Sequence, residues 1–177
     1  MRVLQLTPLA KARVWFRSDV PEFVHVGTVS KRIDGDPLSS VQAGCVTVEA
    51  FVPRGGLAEY GLLGMSFERD RTSLVQVEVP YSEGEGPTWS DSLGRAVDVV
   101  RLGLPYEYAG AILDAAVDVG HRFPPGTIKV VHAAHGLVGS SPRFFQRLAT
   151  SALTLMVDEH EREDDPMITV LRGLLVK

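Results

Sequence analysis

Residues 103–152 read GLPYEYAGAILDAAVDVGHRFPPGTIKVVHAAHGLVGSSPRFFQRLATSA, and the order of helix and strand signals in this stretch decides the fold. Pro105 suits the first turn of a helix, where its missing N–H would have no partner in any case. Tyr108, Ala111, Ile112, Ala115 and Val119 then fall on one face and Glu107, Asp114 and Asp118 on the other, which predicts an amphipathic helix over 105–119 with Gly120 as its left-handed stop. Residues 127–134 read as a strand, and His135-Gly136-Leu137-Val138-Gly139 as a bend. Ser141 is the expected N-cap of a second helix, with Pro142 at its first position. Phe145, Leu148, Ala149, Ala152 and Met156 form its apolar stripe, Arg143, Arg147, Thr150 and Thr154 its wet face, and the helix should end near Val157.

Upstream, period-two alternation with β-branched residues predicts strands over 12–16, 23–29, 46–52, 60–67, 74–79 and 96–102. Val46, Val48, Ala50 and Val52 share one face, with Thr47 and Glu49 opposite; Val75, Val77 and Val79 oppose Gln76 and Glu78. That pattern implies one packed sheet face and one wet face. Turn chemistry separates the strands at Asp34-Gly35-Asp36-Pro37, Pro53-Arg54-Gly55-Gly56, Arg69-Asp70-Arg71 and Glu83-Gly84-Glu85-Gly86-Pro87. Downstream, the charged run over 158–165 reads as a solvated connector, and 167–171 as a last short strand. Strands followed by strand-separated helices define an α+β class, with two helices packed on one face of a largely antiparallel sheet.

The bulk numbers agree with one domain spanning 1–177. Hydrophobic residues make up 45% and charged residues 23% of the chain, as in ordinary soluble globular proteins. A formal charge of −4 argues against a protein that coats duplex nucleic acid, so any RNA contact must be local. The single cysteine, Cys45, forms no internal disulfide and no cysteine metal cage. The opening MRVLQLTPLA lacks the build of a signal peptide, and no later apolar run reaches membrane-spanning length. Cytoplasmic localisation, with no membrane partner, is the resulting expectation.

Several segments resemble domain IV of the translational GTPase elongation factor G. Pro21-Glu22-Phe23-Val24-His25-Val26-Gly27-Thr28-Val29 is a loose version of that family's opening Pro-Glu-x-x-Tyr strand. Gly55-Gly56-Leu57-Ala58-Glu59-Tyr60-Gly61 is similar to its Gly-Gly-Arg-Gly-Gln-Tyr-Gly loop, and Leu104-Pro105-Tyr106-Glu107-Tyr108 to its Ile-Pro-x-Glu-Tyr helix start. Val138-Gly139-Ser140-Ser141 resembles its Val-Asp-Ser-Ser, and Asp165-Pro166 its last Asp-Pro. The matches run in family order over about 21–171. The resemblance implies a fold like the second domain of ribosomal protein S5, with a left-handed βαβ crossover, standing alone without a GTPase. Its loop tips, here Arg54, Gly55, Gly56, His135 and Gly136, become candidate contact residues toward RNA, the ribosome or a protein. The first loop has Leu57-Ala58 where the family has Arg-Gly, the second is shorter, and no G-x-x-x-x-G-K-[ST] loop occurs, so a translocase role does not carry over.

The bend at 136–141 also resembles the Gly-Leu-Gly-Ser-Ser loop of small-molecule kinases of this broad fold, where backbone N–H groups hold phosphates. Gly139, Ser140, Ser141, Arg143 and Arg147 are therefore an anion-site candidate. Cations in the first turns oppose the helix dipole by about 0.3–1 kcal/mol, and a bound anion would remove that conflict. His132 and His135 have metal-ligand spacing, but along a strand it sends them to opposite faces. Ser140 and Ser141 lack a G-x-S-x-G elbow, and capping accounts for them better. The sequence thus yields no catalytic residue, no metal site and no cofactor motif. The leading expectation is a non-enzymatic binding module, with a small-molecule or phosphate-binding protein or minimal enzyme using 136–141 as the alternative. Its oligomeric state is not legible in the sequence.

Overall fold

The computed structural model describes residues 1–16, 20–84, 86–158 and 164–176. Among them the chain is α+β, with three helices and a mixed, open sheet of eight strands. The strands are β1 (Arg2–Gln5), β2 (Lys11–Trp15), β3 (Gly27–Asp34), β4 (Gly44–Arg54), β5 (Leu57–Arg69), β6 (Leu74–Tyr81), β7 (Val100–Leu102) and β8 (Gly126–Gly136). The helices are α1 (Tyr106–Gly120), α2 (Pro142–Val157) and α3 (Asp164–Leu175). The sheet order is β1-β2-β4-β5-β8-β6-β3, and β7 pairs with the far end of β8.

The β4–β5 hairpin is the longest pairing, in register from Gly44↔Phe67 to Arg54↔Leu57. Its turn, Gly55-Gly56, has φ of 52° and 97°, the double positive φ that matches the twist of a two-residue hairpin and that glycine adopts without strain. β8 enters antiparallel to β5 and parallel to β6. A parallel neighbour requires a crossover, and α1 supplies it. Between Gly64↔His132 and Met65↔Val130 the register slips by one residue. This bulge turns Val130 and Ala133 toward the helix layer and His132 and Ala134 to the other side.

α1 packs on β6 and β3, α2 on β4 and β5, and the two helices lie against each other. Tyr108, Ile112, Ala115 and Val119 of α1 and Phe145, Leu148, Ala149, Ala152 and Met156 of α2 are all buried, as their spacing requires. Ser141 caps α2, its side chain accepting from the Phe144 N–H at 3.2 Å. α3 then covers the outer side of α2 and reaches β1, where Arg172 Nε donates to the Leu6 carbonyl at 2.6 Å.

Several expectations need correction. Residues 167–171 are not a strand: Met167, Leu171 and Leu175 are buried at intervals of four, the spacing of one helical face. Gly120 is no left-handed stop, because it lies inside α1 without positive φ; a Cβ there would meet Ile33 Cδ1 at 2.5 Å, so it is a close-approach glycine. Pro105 stands at the N-cap, one position before the helix. The strand expected at 23–29 lies at Gly27–Asp34, and the one expected at 96–102 is only Val100–Leu102. β1 has too little alternation to announce itself. Of the charged run over 158–165, residues 159–163 lie outside the described residues; Asp158 pairs with Arg122 at 2.9 Å, and Asp164 and Asp165 open α3.

The expected wet face fails over the middle of the sheet, where Thr47 and Glu49 are fully buried. A second, smaller cluster of Trp15, Val20, Tyr60, Leu62, Val100 and Ala134, with Trp89 and Leu93 packed on it, seals that side. No helix among the described residues is long and apolar enough to cross a membrane.

Phe145 is fully buried, with its ring 4.9 Å from that of Tyr108. Phe145→Ala should therefore cost about 3–5 kcal/mol in chemical denaturation. A loss below about 1 kcal/mol would show that this face of α2 does not carry the core.

Candidate functional site

The two glycine-bearing loops singled out in the sequence stand at the same end of the molecule. Tyr60, just past the hairpin tip, donates its N–H to the Gly139 carbonyl at 2.8 Å, and Ser140 Oγ donates to the Tyr60 carbonyl at 2.7 Å. Between the loops lies an open cleft of about 600 Å³ walled by Gly56, Leu57, Val97, Asp98, Val138 and Gly139, among others. Its rim is aliphatic: Leu57 is 73%, Val97 63% and Val138 77% exposed.

The polar groups near the cleft have internal partners. The Asp98 carboxylate accepts from the Gly139 N–H at 2.7 Å and the Val138 N–H at 3.1 Å. A Cβ on Gly136 would lie 2.2 Å from Asp98 Oδ2, so glycine is what lets the carboxylate sit there. The bend at 136–141 is thus a small anion cradle, and the chain's own Asp98 occupies it. Ser140 Oγ accepts from the Gly136 N–H at 2.8 Å, while Ser141 is used as the helix cap.

Arg143 is exposed as expected, but Arg147 is not on a wet face. It lies over the Phe144 ring at 5.2 Å, donates to Glu59 Oε1 at 2.6 Å and reaches the Leu175 carbonyl at 3.2 Å. Arg54 joins the same Glu59 and donates to the same carbonyl at 3.0 Å. Two guanidinium groups thereby hold the C-terminal end of α3, where the helix dipole favours cations. Arg54 is the last residue of β4 before the turn and acts as a clasp, with Gly55 and Gly56 next to it at the tip.

His135 is not at a loop tip: it is buried in β8, Nδ1 3.1 Å from the Gly103 carbonyl, its ring edge-on to Tyr108. His132 faces the opposite side, as strand alternation expects, with Nδ1 3.2 Å from the Pro21 carbonyl. A carbonyl only accepts, so the proton sits on Nδ1. Burial holds the His132 pKa down, against the Pro21 hydrogen bond and the Glu22 charge. Burial likewise raises the Cys45 thiol, the opposite of an activated nucleophile. Among the described residues no three His, Cys, Asp or Glu side chains converge to hold a metal ion.

One cluster was missed in the sequence. Glu49, fully buried, accepts from the Leu93 N–H at 2.7 Å and from the Tyr60 hydroxyl at 3.0 Å. Arg13 Nη1 lies 3.4 Å from Glu49 Oε2 and donates to the Asp91 carbonyl at 2.8 Å. Burial raises the Glu49 pKa, opposed in turn by the Leu93 N–H, Arg13 and Tyr60. The same burial, with the Glu49 carboxyl beside it, pushes the Tyr60 phenol up. The available signal was Tyr60 and Leu62, two large apolar residues that share the sheet face of Thr47 and Glu49.

No protein-family model matches the chain, and no curated protein matches it.

The raised Glu49 pKa fixes a sign. Because the folded protein holds this proton more tightly than the unfolded chain, the contribution is fully present below the ordinary glutamate range and is lost as pH rises through the raised value. The unfolding free energy of the wild type relative to Glu49→Gln should fall as pH rises above the ordinary glutamate range, read by denaturation at each pH. A flat difference would place Glu49 in water.

Phosphate at constant ionic strength should raise the melting temperature of Asp98→Ala more than that of the wild type, because only the variant leaves the Val138 and Gly139 N–H groups open to an anion. Equal responses would show that the bend does not discriminate.

Proposed function

We propose that the chain is a non-enzymatic binding module of the elongation factor G domain IV type, with a fold like the second domain of ribosomal protein S5. We further propose that it acts in translation by docking on a protein surface of the ribosome. The left hand of the β6–α1–β8 crossover belongs to the same proposal. The resemblance is supported by that βαβ unit, by α2 following β8, and by the two family-like loops meeting at one end.

The observation that carries the binding reading is the cleft between those loops. Its lining combines exposed aliphatic side chains with two carboxylates, Glu59 and Asp98. Such a surface suits a protein partner better than a phosphate backbone, which needs cations. The serines and backbone amides that a phosphate-using enzyme would employ are engaged in capping α2 and in holding Asp98 and Tyr60.

Cosedimentation with ribosomes tests this directly. The wild type should pellet with them, and Leu57→Asp with Val138→Asp should weaken binding at least about tenfold, since central apolar contacts of an interface are each worth upward of about 1 kcal/mol. Both side chains are exposed, so the fold should survive. A wild type that stays in the supernatant at low salt overturns the ribosome reading, and undiminished binding by the double variant overturns the cleft as the surface.

A further inference from the structure

The covering of the second sheet face is of a different kind from the helix layer. Residues 90–99 leave and rejoin the sheet at adjacent paired positions. Trp89 donates its N–H to the Val100 carbonyl, and Leu102 donates to the Pro87 carbonyl, both at 2.9 Å. Arg101 Nη1 also reaches Thr88 Oγ1 at 2.8 Å. The excursion therefore has a fixed root and a free body.

That body is held mostly by charged hydrogen bonds. Arg13 grips the Asp91 carbonyl, Glu49 receives the Leu93 N–H, and Asp98 is clipped by the Val138 and Gly139 N–H groups. Leu137 adds one backbone bond to the Val99 carbonyl at 3.1 Å. Apolar attachment is limited to Leu93, which packs partly on the small cluster, and to Gly94, which lies against the Tyr60 ring, while Val97 and Val99 face water. α2, in contrast, seats Phe144, Phe145, Leu148 and Leu153 with none of them exposed. Releasing α2 would expose that apolar surface, whereas releasing 90–99 would chiefly exchange charged hydrogen bonds for water.

We infer that residues 90–99 form a lid that lifts from β2, β4 and β5 while the rest of the fold stays closed, with Asp98 as its latch. Lifting uncovers Glu49, Arg13 and Tyr60 on the sheet and simultaneously frees the Val138 and Gly139 N–H groups at the cleft wall. The cleft and the buried carboxylate are thereby two ends of one device. Among the described residues the groups facing Glu49 are Arg13 from β2, Tyr60 from β5, and Asp91 and the Leu93 N–H from the lid itself. Ionisation of Glu49 favours the lifted state, because water solvates the carboxylate that the closed lid dehydrates.

Native-state hydrogen exchange decides the matter and needs no partner, so its outcome is independent of the ribosome reading. In the wild type the Leu93, Val138 and Gly139 amides should exchange at least about tenfold faster than those paired within the β4–β5 hairpin. Asp98→Ala should accelerate Leu93 by a further tenfold or so, the scale of one charge-assisted hydrogen bond, with the hairpin unchanged. Leu93 protected as strongly as the hairpin in the wild type would overturn the lid, and this arm stands even if the variant fails to fold. Acceleration of Val138 and Gly139 alone would overturn Asp98 as its latch.

Discussion

The structure turns on the insertion of β8 between β5 and β6. A strand that pairs antiparallel on one side and parallel on the other forces a crossover, and the crossover places α1 over β6. Central placement also requires both faces of β8 to be covered. One face meets α1 and α2; the other, beyond the bulge beside His132, meets Tyr60, Leu62 and the segment leading into β7. Each later feature follows from satisfying those two faces with unequal means. The helix layer contributes large aliphatic and aromatic side chains, while among the described residues the opposite side is covered by Val20 and Pro21 and by a loop that offers Trp89 and Leu93.

Polar anchoring is the consequence of that inequality. A loop that cannot bury enough apolar area holds its place through groups that bond strongly when dehydrated, and Glu49 and Arg13 fill that role. Their pairing is costly to bury and still more costly to break on one side only. Asp98 solves the same problem at the other end of the loop, where the Val138 and Gly139 N–H groups would otherwise look for water or an external anion. The resemblance of 136–141 to a phosphate loop is thus physically meaningful without requiring a phosphate. The amide cradle exists, and a carboxylate from the same chain lies in it.

α1 and α2 were legible because their signals are local. Ser141 and Pro142 set the start of α2, and apolar residues at three- and four-residue spacing set its face. The β4–β5 hairpin was equally legible, since Gly55-Gly56 lies between two alternating runs. β3 was displaced because Ser-Lys-Arg at an edge strand shows no alternation, and α3 was taken for a strand because Ile168, Thr169 and Val170 are β-branched while the burial of Met167 and Leu171 is set by tertiary contact. The burial of Glu49 was not legible, because a charged residue opposite an apolar run reads as solvent-facing until the cover is known. At the candidate site, the sequence identified both loops but not that they share one cleft. It also misplaced His135 and Arg147, whose partners lie far along the chain.

Arg54, Glu59 and Arg147 show how the cleft is tied to the rest of the fold. Glu59, near the start of the strand leaving the hairpin tip, pairs with Arg54, which ends the strand entering it, and with Arg147 of α2, and both arginines donate to the Leu175 carbonyl at the end of α3. An isolated surface ion pair contributes little. Here two cations share one carboxylate and also complete hydrogen bonds at a helix end, so each side chain is already ordered when the next contact forms. The hairpin tip is therefore braced on its helix side by this clasp. On its other side the wall at 138–139 is tied to Tyr60 through the Gly139 carbonyl and Ser140 Oγ, and the facing loop at 90–99 is held to it by Asp98 and by the Leu137 N–H bond to the Val99 carbonyl. A surface with one rigid wall and one releasable wall can change its width without disturbing the core, and the asymmetry comes from the two coverings that β8 demanded.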